Sequence, residues 1–173
     1  MKRIMVDLET MGQGPNAAII AIGAVMYDSE IRYDFYRVVD LQSSVSAGGA
    51  IDPSTVMWWL KQSEAARSAF LRNGVPIARA LQDFNEWSNT FGEFELWGNG
   101  ANFDNVILRS AMERCYLSPP WKFWNDRCFR TLKALYPQVK MQKTLVAHNA
   151  LDDAKMQALH HIAIDTFVNN SYS

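Results

Sequence analysis

The sequence predicts an α/β domain in which a mixed β-sheet, three antiparallel strands followed by a parallel addition, is flanked by helices. Three observations carry this. The first 39 residues hold three apolar runs separated by short links. Helical patterns then dominate, interrupted by one further short strand. The length of 173 residues, with 49% hydrophobic and 20% charged residues, suits a single domain over 1–173 around one core.

Arg3 to Leu8 reads as a short buried strand. Gly12, Gly14 and Pro15 make a loop, and Ala18 to Tyr27, rich in Ile and Val, is the second strand. Ile31 to Val39 is the third, with Tyr33, Phe35 and Tyr36 among polar residues. The link Asp28 to Glu30 is short, and three successive strands with short links suggest an antiparallel meander. Asp52-Pro53 starts a helix, with Asp as N-cap and Pro in the first turn, running to about Gln62. Ser63 is expected to cap a helix ending near Gly74, and Pro76 to open another through Ala80, Phe84 and Trp87. Glu93 to Gly98 is the fourth strand, followed by a helix from Phe103 to Cys115. After Pro119-Pro120, a helix from Phe129 to Leu135 is stopped by Pro137. The last helix spans Ala150 to Val168, with Leu151, Ala154, Ala158, Leu159, Ile162, Ala163 and Phe167 as its expected buried stripe. His160 and His161 are expected on its surface.

Composition removes several classes. The longest apolar run, Ala17 to Tyr27, is far short of the ~20 residues that cross a bilayer. Asp7 and Glu9 interrupt the stretch where a secretory signal would need apolar residues, so a cytoplasmic protein is expected. Two cysteines, Cys115 and Cys128, cannot build a four-ligand zinc site. The net charge of −1 argues against a protein that coats nucleic acid. The charge is uneven, however: Trp121 to Lys143 holds Lys122, Arg127, Arg130, Lys133, Lys140 and Lys143 against Asp126 alone. Such a stretch can contact phosphate on an otherwise acidic body.

Three fragments carry chemistry. Asp7 and Glu9 are two apart on a strand, so both point to one face. Clustered carboxylates repel unless a cation lies between them, and hard divalent ions take oxygen ligands. Alone, the pair is equally two solvated acids. Asp104 follows the Gly-rich run Trp97 to Asn102 where a helix begins; alone it is equally a first-turn acid favoured by the helix dipole. His148 and Asp153 are five apart, which on a regular helix would separate them by about 140°. His148 is therefore placed in the loop before the last helix and Asp153 in its first turn. Asp152 points elsewhere.

Together, Val6-Asp7-Leu8-Glu9-Thr10, Asn102-Phe103-Asp104 and His148 to Asp153 resemble the three motifs of the DEDDh 3′-to-5′ exonucleases. The resemblance covers residues 1 to 160 and implies the ribonuclease-H-like fold. Trp58-Trp59 after Asp52-Pro53, and the Asn99 to Asn105 run, look most like a small phage and bacterial branch. That branch includes proteins similar to the mycobacterial poly(A)-trimming exoribonuclease and to exodeoxyribonuclease VIII-like proteins. It implies that Asp7, Glu9, Asp104 and Asp153 hold two divalent ions, Mg2+ or Mn2+, with Asp7 bridging them and His148 as general base. The first motif has Met11 where Thr is frequent, at a position that abuts the substrate end, so Thr10, Met11 and Asn102 are expected substrate contacts. Trp58 and Trp59 lie about 100° apart on a helix, so one is expected in the core and the other as a stacking platform. The aromatics and bases of Trp121 to Lys143 are either a further strand-binding surface or core with a solvated rim.

The expected substrate is the 3′ end of single-stranded DNA, releasing 5′-mononucleotides, with RNA as the alternative. A catalytically silent nucleic-acid-binding module and a hydrolase of small nucleotides are readings of other classes; the complete set of five catalytic-type residues argues against the silent module. The family often forms homodimers, which the sequence neither requires nor forbids.

Overall fold

The computed structural model describes residues 1–71, 73–140 and 148–171. Strands β1 (Lys2–Thr10), β2 (Ile19–Tyr27) and β3 (Ile31–Val38) come first. Helices α1 (Leu41–Ser46), α2 (Pro53–Leu60), α3 (Glu64–Ser68) and α4 (Ile77–Asn89) follow. Then come β4 (Phe94–Gly98), α5 (Asp104–Arg114), a 3-10 turn at Phe123–Asn125, β5 (Asp126–Cys128), α6 (Phe129–Leu135) and α7 (Ala150–Ser171). The five strands form one sheet in the order β3-β2-β1-β4-β5. β1, β2 and β3 pair antiparallel, and β4 and β5 add to β1 in parallel. Among the described residues no helix is long and apolar enough to cross a membrane.

Alternation along β1 sorts the two faces. Ile4, Val6 and Leu8 pack with Ile22, Ala24 and Phe84, and with Ile107, Leu108 and Ala111 of α5. Met5 lies on the other face with Val25, Tyr27 and, from α7, Ala154 and Ala158. β2 is buried along its whole length because both faces are covered, which is why its sequence is continuously apolar.

Two glycines bring helix starts onto this sheet. A Cβ at Gly23 would lie 2.2 Å from the Ala150 carbonyl carbon, so only glycine lets α7 begin against β2. Gly23 pairs with Asp7 in register, so the start of α7 arrives beside that acid. A Cβ at Gly98 would lie 2.4 Å from Asn105 Oδ1 and 2.9 Å from Asp104 Cβ, so α5 starts against the end of β4. Both helices therefore begin where the parallel strands end, the usual crevice of α/β sheets.

The structure corrects several expectations. α3 is five residues rather than a helix reaching Gly74. Asp52 precedes α2 but its carboxylate accepts the Gln13 N–H at 2.8 Å instead of capping the helix. α1 has no counterpart among the expected elements: it is short and Ser-rich, and it is set by Asp40 Oδ2 accepting the Ser43 N–H at 2.7 Å. β5, of three residues, is too short to show a period.

The stripe of α7 is also different. Ala150, Ala154, Gln157, Ala158, His161 and Ile164 are buried, whereas Leu159, Ala163 and Phe167 are exposed. His160 and His161 are 7% and 3% exposed rather than surface residues. His161 Nε2 lies 3.3 Å from Arg3 Nη1 and Nδ1 lies 2.7 Å from the Tyr27 hydroxyl. A guanidinium only donates, so Nε2 accepts and Nδ1–H donates to Tyr27. Burial pulls His161 down to about 4, which keeps it neutral in this network. His160 Nε2 reaches the Val139 carbonyl at 2.7 Å.

Candidate active site

β1 delivers Asp7 and Glu9 on the face that α7 covers, and the first turn of α7 delivers Asp153. One oxygen from each of these three carboxylates lies within 4.8 Å of the others. Asp104 enters from the opposite face at the start of α5, outside that group of three. Its Oδ1 accepts the Leu8 N–H at 3.2 Å, and after burial it is the largest influence on Asp7.

Burial raises all four acids, and their neighbours in the cluster raise Asp7 and Glu9 further. Burial, then Asp104, Glu9 and Asp153, push Asp7 well above the usual carboxylate range. Burial, then Asp153 and Asp104, push Glu9 up to about 8. Burial pushes Asp104 up to about 7, against backbone N–H groups of Leu8 and Asn99 that favour its charged form. Burial also raises Asp153. Glu9 Oε1 is buried without a hydrogen-bond partner among the described residues. An all-oxygen cluster with an orphaned acceptor and mutual repulsion fits a divalent cation.

This has a measurable consequence. Groups raised in the fold contribute stability that is full below their unfolded values and is lost as pH rises through their folded values. With Glu9 moved from 4.5 to about 8 and Asp104 from 3.8 to about 7, the loss spans that interval. The melting temperature of metal-free protein is expected to fall across that window, and a divalent salt to restore it more at the alkaline end. Thermal melts with and without chelator check this; a rising metal-free melting temperature across the window contradicts it.

His148 stands in the turn before α7 at φ 65°, a left-handed conformation that histidine tolerates better than most residues. Its backbone N–H donates to Asp153 Oδ2 at 3.1 Å. The helix cap is Asn149, whose Oδ1 accepts the N–H groups of Leu151 and Asp152 at 3.1 and 3.2 Å. The His148 ring meets Trp58 edge-to-face at 4.9 Å and Trp59 at 6.2 Å.

A cleft of about 560 Å³ opens beside Glu9, lined by Thr10, Gln13, Ser54, Trp58, Asn102 and Arg130 among others. Trp59 is 3% exposed and donates its indole N–H to the Thr10 carbonyl at 2.9 Å. Trp58 is 42% exposed at the cleft wall. Thr10 borders the cleft, but its hydroxyl donates to the Gly12 carbonyl at 2.7 Å. Asn102 is exposed and also lines the cleft.

Met11 does not face the cleft. It is buried with Ala18, Ile20, Trp59 and Ala66, because the pairing shifts between Glu9 and Thr10 and the chain then turns inward. The Trp121 to Lys143 stretch divides. Trp121 and Phe129 are core, and Phe123 and Trp124 are exposed. Lys122 pairs with Glu93 at the start of β4, the far end from the cleft. Lys143 lies outside the described residues.

Sequence reasoning missed Gln157. Its Nε2 donates to Asp7 Oδ1 at 2.7 Å, fixing that carboxylate from α7. The available signal was its position four residues after Asp153, on the same helix face as Ala154 and Ala158.

The phage T4 "Exodeoxyribonuclease" is 26% identical over 156 residues, covering 73% of this chain and 68% of that protein. E. coli exonuclease I, in a crystal structure with a dT13 oligonucleotide, superposes with a TM-score of 0.71 at 16% identity over 99% of this chain. Its zinc-bound complex with single-stranded DNA gives 0.69 at 13% identity over 96%. The chain spans 42% and 40% of those two exonuclease I chains. The likeness establishes the ribonuclease-H-like fold. The family described as the 3′-5′ exoribonuclease Rv2179c-like domain matches residues 2–164. This chain belongs to that family, the Rv2179c-like 3′-5′ exoribonuclease domains.

Proposed function

We propose that this chain is a metal-dependent 3′-to-5′ exonuclease of the DEDDh type, acting on single-stranded nucleic acid and releasing 5′-mononucleotides. The observation that carries it is the meeting of Asp7, Glu9 and Asp153 within 4.8 Å beside an open cleft. Asp7, Glu9, Asp104 and Asp153 would hold the divalent ions. Those ions, Mg2+ or Mn2+ for an all-oxygen donor set, supply charge to the attacking water and to the departing 3′ oxygen.

The protein's own groups do the rest. Gln157 holds Asp7 in one orientation. The His148 backbone N–H holds Asp153, and a His148 ring nitrogen accepts the proton of the attacking water. Trp58 offers its exposed face to the terminal base, while buried Trp59 fixes the backbone at Thr10.

DNA is the proposed substrate, supported by the phage T4 exodeoxyribonuclease and by exonuclease I bound to single-stranded DNA. The family's description favours RNA as the second reading. Matched DNA and RNA oligomers digested side by side in magnesium, manganese and EDTA decide between them. The expected result is metal-dependent trimming with DNA faster. Faster RNA trimming selects the second reading, and undiminished hydrolysis after metal stripping rejects the metal-dependent mechanism for either substrate.

A further inference from the structure

We propose that Arg130 binds a phosphodiester of the substrate strand within one nucleotide of the bond that is cut. The proposal rests on the exonuclease reading above and adds the residue that admits the polyanion to an acidic cleft.

Phe129, the first residue of α6, is fully buried and fixes the start of that helix. Arg130 is the next residue and turns outward to line the cleft that Glu9, Trp58 and Asn102 also line. Its Nη2 donates to the Asn99 carbonyl at 2.7 Å. The guanidinium lies over Gly100: a Cβ there would be 3.1 Å from Nη2 and 3.2 Å from Cζ. Gly100 also has φ +133°, which excludes side chains for a second reason. The glycine-rich turn before Asp104 thus seats an arginine at the cleft wall.

Arg130 forms no direct ion pair with a carboxylate among the described residues, although its charge favours the ionised form of nearby Asp104, whereas neighbouring Arg127 pairs with Glu95. Lys133, one turn on, donates to Asn99 Oδ1 at 3.0 Å, so two cations converge on one asparagine. Burial and then Arg130 pull the Lys133 ammonium below its ordinary value. Two adjacent cations without an acid between them suit an anionic ligand, and the planar guanidinium matches phosphate oxygens. Glu9, which clusters with Asp7 and Asp153, lines the same cleft. A phosphodiester entering there needs a cation on the other wall, and Arg130 supplies it.

The competing role is a clamp that only holds the Asn99 to Asn102 turn. The test measures binding of single-stranded oligomers in calcium by wild type, Arg130→Met and Arg130→Lys, together with thermal melts. The oligomers carry one neutral methylphosphonate at each of the last four linkages in turn. In wild type, neutralising one of the two linkages nearest the 3′ end is expected to weaken binding about tenfold. In Arg130→Met that same substitution costs nothing further, while more distant linkages still add their effects. The salt slope falls by about 0.7, the value of one phosphate contact on a single strand. Arg130→Lys recovers part of the loss.

An Arg130→Met defect that adds equally to every methylphosphonate overturns the proposal. So does coupling confined to distant linkages, or a lowered melting temperature in both variants with unchanged coupling. A wild type that trims labelled 3′ ends yet shows no coupling rejects Arg130 alone. A wild type that neither binds nor trims single strands rejects the exonuclease reading as well.

Discussion

Replacing Asp7 by asparagine is expected to lower turnover by at least about 10³-fold, because several kcal/mol of transition-state charge stabilisation pass through this carboxylate. Asp7 is the acid that the other three surround. Beyond burial, Asp104, Glu9 and Asp153 all raise it, and Gln157 aims one of its oxygens. An amide keeps the shape and loses the charge that would bind a cation. The metal-free protein should melt at the same temperature or higher, since one member of a repelling cluster is gone. Gln157 can still donate to the carbonyl oxygen of the introduced amide, so the α7 contact survives. Nuclease assays and melts on one preparation separate the two effects. Near-wild-type activity would remove Asp7 from the site.

His148→Asn is expected to lower kcat by roughly 10²–10⁴-fold with little change in melting temperature. The structure gives the reason for each half. The bond that ties residue 148 to Asp153 uses the backbone N–H, which any replacement but proline keeps. The cap of α7 belongs to Asn149. Asparagine also tolerates the left-handed φ of 65°, which alanine accepts less well, so it removes the imidazole with least strain. What is lost is the ring beside Trp58, and with it the nitrogen that accepts the proton of the attacking water. A stable, fully active variant would leave the mechanism without its base. A strongly destabilised but active one would make His148 structural.

The acids were legible because strand periodicity places residues i and i+2 on one face, and because His148 and Asp153 cannot share a regular helix face. The sheet was legible for a similar reason: β2 is continuously apolar and the β2–β3 link is short. What could not be read depends on contacts across the fold. Gly23 looks like an ordinary strand glycine until α7 is laid on it. That Met11 is buried depends on the shift in pairing after Glu9, which the sequence does not display. His160 and His161 were misread because the buried side of α7 carries polar residues that an apolar search skips: Gln157 serves Asp7, and His161 joins Arg3 and Tyr27. Arg130 was one base in a run until the turn at Gly100 singled it out.

These carboxylates, with bound divalent ions, would cut the last phosphodiester at a 3′ end. Digestion of one single-stranded oligomer, labelled at its 5′ end in one sample and at its 3′ end in another, tests it most directly when run in magnesium and in EDTA. The expected result is a ladder of 5′-labelled fragments shortening one nucleotide at a time. The 3′ label should appear at once as a 5′-mononucleotide, and both signals should vanish in EDTA and in Asp7→Asn. Release of 3′-mononucleotides, shortening from the 5′ end, or equal activity in EDTA would contradict it.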